Sequence, residues 1–146
     1  MSELEDLYQE TILDHGRRPR NFGKPERFSH QAEGYNPLCG DRFTLFAVVE
    51  DDVIVDARFD GMGCAISTAS ASLMTEAMIG RGLEEFQALF NGVHDLVKGE
   101  PVTVDNLGKL IVFGGVSKFP MRVKCASLPW HTLKAALAGE DVATTE

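Results

Sequence analysis

Cysteine is scarce in this chain: 146 residues contain three, Cys39, Cys64 and Cys125. An odd number excludes a fully paired disulfide framework. The absence of any C-x-x-C removes thioredoxin-type and zinc-knuckle readings together. Basic residues are also in short supply, with 14 Lys and Arg against 22 Asp and Glu for a formal net charge of −8. A field of that sign argues against a generic nucleic-acid binder. No apolar run approaches the ~18–20 residues that cross a bilayer. The first residues, Met1-Ser2-Glu3-Leu4-Glu5-Asp6, are acidic where a signal peptide would be basic and then apolar. Repeats and low-complexity segments are missing as well. The expectation is a cytoplasmic protein with neither nucleic-acid nor membrane partners.

The rest of the composition is ordinary: 44% hydrophobic and 25% charged residues suit one globular domain over 1–146, with 140–146 expected as a flexible tail. Leu4, Leu7, Tyr8 and Ile12 recur at helical spacing before Gly16. The segment Gly16–Gly23 carries Arg17, Arg18 and Arg20 around Pro19. It reads as an irregular loop, either simply solvated or a docking patch for an acidic surface. Arg42–Val49 and Val53–Phe59 read as strands of a hairpin around Glu50-Asp51-Asp52. Ile66, Ala69, Leu73 and Ala77 form a helical stripe ending near Gly80, with Ser67, Ser70 and Ser72 on the other side. Leu83, Phe86, Leu89 and Phe90 suggest another helix, 91–105 is undetermined, and Leu107–Phe113 is a short apolar segment. Ser127 is expected to cap a last helix with Pro129 in its first turn. The fold class is α+β: a small antiparallel sheet of about three strands, covered on one face by several helices.

The cysteines carry the chemistry. Cys39 lies in Asn36-Pro37-Leu38-Cys39-Gly40-Asp41, a turn feeding the first strand, and Asp41 shares its face if the chain is extended there. Cys64 opens a helix, where unsatisfied amides favour a thiolate. Cys125 follows Arg122 and Lys124, whose positive charge acts in the same direction, and is expected to precede the last helix. All three thus sit at element ends, outside apolar stripes. Three thiolates and one carboxylate would complete a tetrahedral shell for zinc, with soft sulfur dominant. For the fourth position Asp41 competes with His131 and, less well placed, His15, His30 and His94. A full shell of this kind leaves no open water position, which argues against a hydrolytic enzyme.

At these residues the chain resembles the U-type iron–sulfur scaffold family, which includes IscU, SufU and the N-terminal part of NifU. The resemblance spans nearly the whole chain. It rests on Leu7-Tyr8 with Ile12-Leu13-Asp14-His15, Pro19-Arg20-Asn21 and Asn36-Pro37-Leu38-Cys39-Gly40-Asp41. It continues in Gly63-Cys64-Ala65-Ile66-Ser67, Ala69-Ser70-Ala71-Ser72 and Lys124-Cys125-Ala126-Ser127-Leu128-Pro129-Trp130. Within the family the chain is similar to the SufU branch. Its Cys64–Cys125 stretch is long, and Lys124 precedes the third cysteine where IscU-type members carry histidine. Phe119-Pro120-Met121-Arg122-Val123-Lys124 also replaces the chaperone-docking element of IscU.

The resemblance implies a SufE/NifU-like fold and zinc held by Cys39, Asp41, Cys64 and Cys125. It implies persulfide transfer from a SufS-type cysteine desulfurase to Cys39, and onward passage to downstream iron–sulfur assembly proteins. On this reading a desulfurase histidine takes the place of Cys39 on the metal. Arg17, Arg18, Arg20, Arg122 and Lys124 are the expected partner contacts. The alternative is a scaffold building a transient [2Fe–2S] cluster on Cys39, Cys64 and Cys125; a third reading is an adaptor with purely structural zinc.

Overall fold

The computed structural model describes residues 3–102 and 107–144, with backbone alone for 3–7 and 144. The expected helix face at Leu4 and Leu7 therefore lies outside the described side chains. Helix α1 runs Glu3–Arg17, followed by strands β1 (His30–Asn36), β2 (Asp41–Glu50) and β3 (Val53–Met62). Then come α2 (Ala65–Met78), β4 (Arg81–Gly82), α3 (Leu83–Lys98), a 3-10 helix over Gly108–Lys118, α4 (Pro120–Leu137) and β5 (Val142–Thr144).

The hairpin expected at Glu50-Asp51-Asp52 forms with Glu50 opposite Val53. Asp51 and Asp52 both adopt positive φ, 51° and 62°. That is the type I′ geometry whose twist matches the flanking strands. The sheet, however, has five strands in the order β4-β3-β2-β1-β5 rather than about three. It is also mixed, because β5 pairs parallel to β1 while the other neighbours are antiparallel. Pairing of Val142–Thr144 with Glu33–Tyr35 places part of the expected tail on the sheet edge.

Alternation along the strands sends Phe43, Leu45 and Ala47 of β2 and Ala57 and Phe59 of β3 into one core. The helices cover this face, as expected; α4 packs on β1 and β2, and α2 on β3. The other face carries Glu33, Tyr35, Thr44 and Asp60, and Arg42 stacks there on the Tyr35 ring. β1 approaches α4 so closely that a side chain at Gly34 would run into the Thr132 hydroxyl.

Helix α2 is buried almost all round, including Ser67, Ser70, Ser72 and Thr75. Small hydroxyl side chains allow neighbouring backbones to come close, and each finds a partner. Ser70 donates to the Ala126 carbonyl of α4. Ser72 Oγ accepts the Arg20 amide at 2.8 Å and is hydrogen-bonded to His15 Nδ1 at 2.7 Å. The last helix begins earlier than expected, at Pro120, and runs through Ser127 and Pro129. Pro120 occupies the helix start, where its missing N–H costs nothing. Pro129 lies in the interior and has no N–H to offer the carbonyl four residues back, that of Cys125.

Burial of His15, 2% exposed, lowers its pKa below the ordinary 6.5, and the nearby Arg20 charge acts in the same direction. The unfolded chain then binds a proton that the folded one refuses. Stability from this group is complete above pH 6.5 and declines as pH falls through and below that value. Urea denaturation of metal-free protein at pH 7.5 and 5.5 should show that decline. His15→Gln, which can still reach Ser72, should reduce it; an equal decline in the variant would contradict the assignment.

Candidate metal centre

The three cysteines come from separate elements; Cys39 and Cys125 meet at Asp41, whereas the Cys64 sulfur lies outside that group of three. Cys39 lies in the four-residue turn between β1 and β2, the hairpin register of which sets Asn36 opposite Asp41. Cys64 is the N-cap of α2, where its Sγ accepts the Ser67 amide at 3.4 Å. Gly63 before it is exposed, but a side chain there would run into the Phe43 ring and the Ser67 hydroxyl. Cys125 is inside α4 and fully buried. The expectation that it precedes the last helix is corrected by the Pro120 start, and it is not at an element end.

Ligand atoms of Cys39, Asp41 and Cys125 all lie within 4.8 Å of one another. Cys125 Sγ is 3.2 Å from Cys39 Sγ, and the acidity of Cys64 depends on Cys125. Cys64 also joins through its backbone, as its amide donates to Asp41 Oδ1 at 2.9 Å. Asp41 is 0% exposed. Among the described residues that amide and the Asn36 side chain face it as donors, neither of them cationic.

The thiols differ in acidity. The interaction with Cys125, reinforced by the Ser67 hydroxyl and amide, brings Cys64 down to about 5 and so favours its thiolate. The same contact pushes Cys125 up, as do burial and its contact with Cys39. Arg122 answers from the exposed side: thiolate charge on Cys64, and then on Cys125, raises its pKa.

The donor set fits a soft divalent cation. Zn–S bonds of about 2.3 Å in a tetrahedron put sulfurs about 3.8 Å apart, close to the spacing of this cluster. A buried carboxylate facing thiols without a basic partner is costly alone, and a cation offsets that cost.

None of the competing histidines joins this cluster. His131 packs edge-on against Phe90 and His94, His15 is held at Ser72, and His30 bonds its neighbour Ser29. Arg18 and Arg20 pair with Asp14 at 3.0 and 2.7 Å. Lys124 is half-buried on α4. One residue at the site was visible in the sequence only as part of a turn: Asn36, whose amide faces Asp41 and Cys125. Recognition of β1 and its register would have singled it out.

The chain as a whole is similar to known proteins. The family model described as NifU-like N terminal domain matches residues 7–126. The chain belongs to this family. Relatives of this NifU-like domain protein include the zinc-dependent sulfurtransferase SufU of Bacillus subtilis, 39% identical over 96% of this chain and 95% of that protein. The iron-sulfur cluster assembly scaffold protein IscU of Thermotoga maritima is 42% identical over 90% of this chain and 92% of its own. Among solved structures, a putative iron-sulfur cluster assembly scaffold protein for the SUF system from Fervidobacterium islandicum superposes with a TM-score of 0.85. It is 39% identical and covers 91% of this chain and 98% of its own. A NifU-like N-terminal protein from Brucella abortus, TM-score 0.84 at 21% identity, shares the fold over 94% of this chain and 96% of its own.

Asp41→Asn tests the buried carboxylate. The amide retains an acceptor for the Cys64 N–H, so the variant should stay folded by circular dichroism. Its zinc affinity in chelator competition should fall by about tenfold or more. Wild-type affinity in Asp41→Asn would remove Asp41 from the ligand set.

Proposed function

We propose that this NifU-like domain protein is a cytoplasmic, zinc-dependent sulfurtransferase of iron–sulfur cluster assembly. It accepts persulfide sulfur from a SufS-type cysteine desulfurase on Cys39 and passes it to cluster-assembly proteins. The observation that carries the reading is the unequal anchoring of the four side chains. Asp41 and Cys125 are buried in a strand and a helix, and Cys64, half-buried, caps α2, whereas Cys39, equally half-buried, lies on the Pro37–Gly40 turn outside any helix or strand. One thiol can move outward while the other three groups stay with the core.

Zinc, held by Cys39, Asp41, Cys64 and Cys125, supplies Lewis acidity that keeps thiols deprotonated without redox chemistry. The Cys39 thiolate attacks the terminal sulfur of the desulfurase persulfide. A Cys39–sulfur bond forms, the S–S bond of the partner breaks, and the electron pair leaves on the partner cysteine as thiolate. The product is a persulfide on Cys39, with no external oxidant or reductant. Arg122 can balance negative charge at the exposed side of the site during this exchange.

Support for a docked protein partner comes from apolar side chains around the site. Leu38 beside Cys39, Met62 just before Cys64, and Phe119 and Met121 before Cys125 are all exposed, Met62 by 82%. Large apolar side chains left exposed near the cysteines in the sequence are what an interaction face would use. Arg17 and Arg18 follow Gly16, which packs against Ala65 at the start of α2, so they flank the same region. Lys124 stands where the resemblance gives IscU-type scaffolds a histidine. This favours sulfur transfer over the second reading, a [2Fe–2S] scaffold, which has support in the name of the T. maritima relative.

Single substitutions separate the roles. Cys39→Ala, Cys64→Ala and Cys125→Ala should each abolish transfer of radiolabelled sulfur from a SufS-type desulfurase. Cys64→Ala and Cys125→Ala should also lose metal and melt earlier, because metal binding is coupled to folding. Full sulfur acceptance by Cys39→Ala would remove that residue as acceptor. Full activity and normal stability in Cys64→Ala would contradict a shared site.

A further inference from the structure

The buried wall of the centre contains a polar side chain that the proposed transfer does not use. Asn36 ends β1 directly opposite Asp41 and is 0% exposed. An amide so placed must find partners within the protein. Its orientation is fixed by Leu38, whose backbone N–H donates to Asn36 Oδ1 at 3.3 Å. With the oxygen committed there, the NH2 group faces Asp41 Oδ2 at 3.5 Å and Cys125 Sγ at 3.7 Å. One side chain thus offers donors to two acceptors from different elements, a strand carboxylate and a helix thiol.

We propose that Asn36 is a positioning residue of the metal centre, holding Asp41 and Cys125 in ligating orientation while Cys39 is free to move. The inference rests on the metal-binding reading given above. Both acceptors bear negative charge when a metal is bound, which strengthens hydrogen bonds from a neutral amide. An N–H pointed at a thiolate also withdraws electron density from sulfur, so its effect extends to the metal–sulfur bond. Outer partners of this kind orient ligands and tune the metal they hold. The arrangement divides the work by position: Arg122 approaches the thiols from the exposed side, and Asn36 from the interior.

Asn36→Leu keeps the volume and removes the donors; Asn36→Ser serves the same measurement if the leucine variant does not fold. Full-length protein is titrated with Co²⁺ as a spectroscopic probe, and with Zn²⁺ against a chromophoric chelator. Zinc affinity should fall by about 10–100-fold. The sulfur-to-cobalt charge-transfer band should move to lower energy, since a thiolate relieved of its N–H donor releases electrons more readily. A purely structural Asn36 would lower the melting temperature of the metal-free protein and leave the cobalt spectrum unchanged, and that result overturns the proposal. So does zinc affinity within about twofold of wild type. Failure of the wild-type protein to bind either metal at one per chain would instead overturn the metal centre itself, and this inference with it.

Discussion

The two oxygens of the Asp41 carboxylate serve different elements: Oδ1 accepts the Cys64 amide at the opening of α2, and Oδ2 faces the Asn36 amide at the end of β1. The carboxylate is buried and, among the described residues, served by neutral donors, so no ion pair there offsets its desolvation. Much of the surrounding geometry follows from keeping it there. The β1–β2 turn must return tightly enough to set Asn36 opposite Asp41. Gly63 must be bare of a side chain for the chain to pass Phe43 and deliver Cys64. The arrangement is costly as an empty polar cluster and favourable around a cation, which links the stability of the fold to the occupation of the site.

Helix α2 transmits that constraint. It starts at the centre with Cys64, and its small side chains let α1 and α4 approach. The Ser70 hydroxyl donates to the carbonyl of Ala126, the neighbour of Cys125, so the two cysteine-bearing helices are tied one residue from the site. Two residues further on, Ser72 holds His15 and the Arg20 backbone, fixing the end of α1 and the arginine segment. The serines opposite the apolar stripe, small enough to permit close packing, are thus interior contacts.

Patterning was informative where side chains alternate or recur strongly. The β2–β3 hairpin and the helices carrying Ile66 and Leu83 have such patterns, and the structure has these elements. Strand β1 escaped notice because His-Gln-Ala-Glu-Gly-Tyr-Asn buries Ala32, Gly34 and Asn36, residues too small or polar to register as a hydrophobic face. Strand β4 has two residues and β5 three, lengths at which periodicity says nothing. The start of α4 was obscured by Phe119-Pro120, a pair that looks like a loop but begins a helix. Of the candidate site, Cys39 and Asp41 were legible from residue type and local setting, and Cys125 from residue type alone, since it lies inside α4 rather than at an element end. Asn36 was not, because its role depends on a strand register rather than on a motif.

The central proposal is that Cys39, Asp41, Cys64 and Cys125 hold zinc in service of sulfur transfer. The most direct test is elemental analysis of protein purified without added metal, with acid-labile sulfide measured on the same sample. The account predicts one zinc per chain and no labile sulfide. Iron with stoichiometric labile sulfide, and no zinc, would contradict it and make the centre a site of cluster assembly.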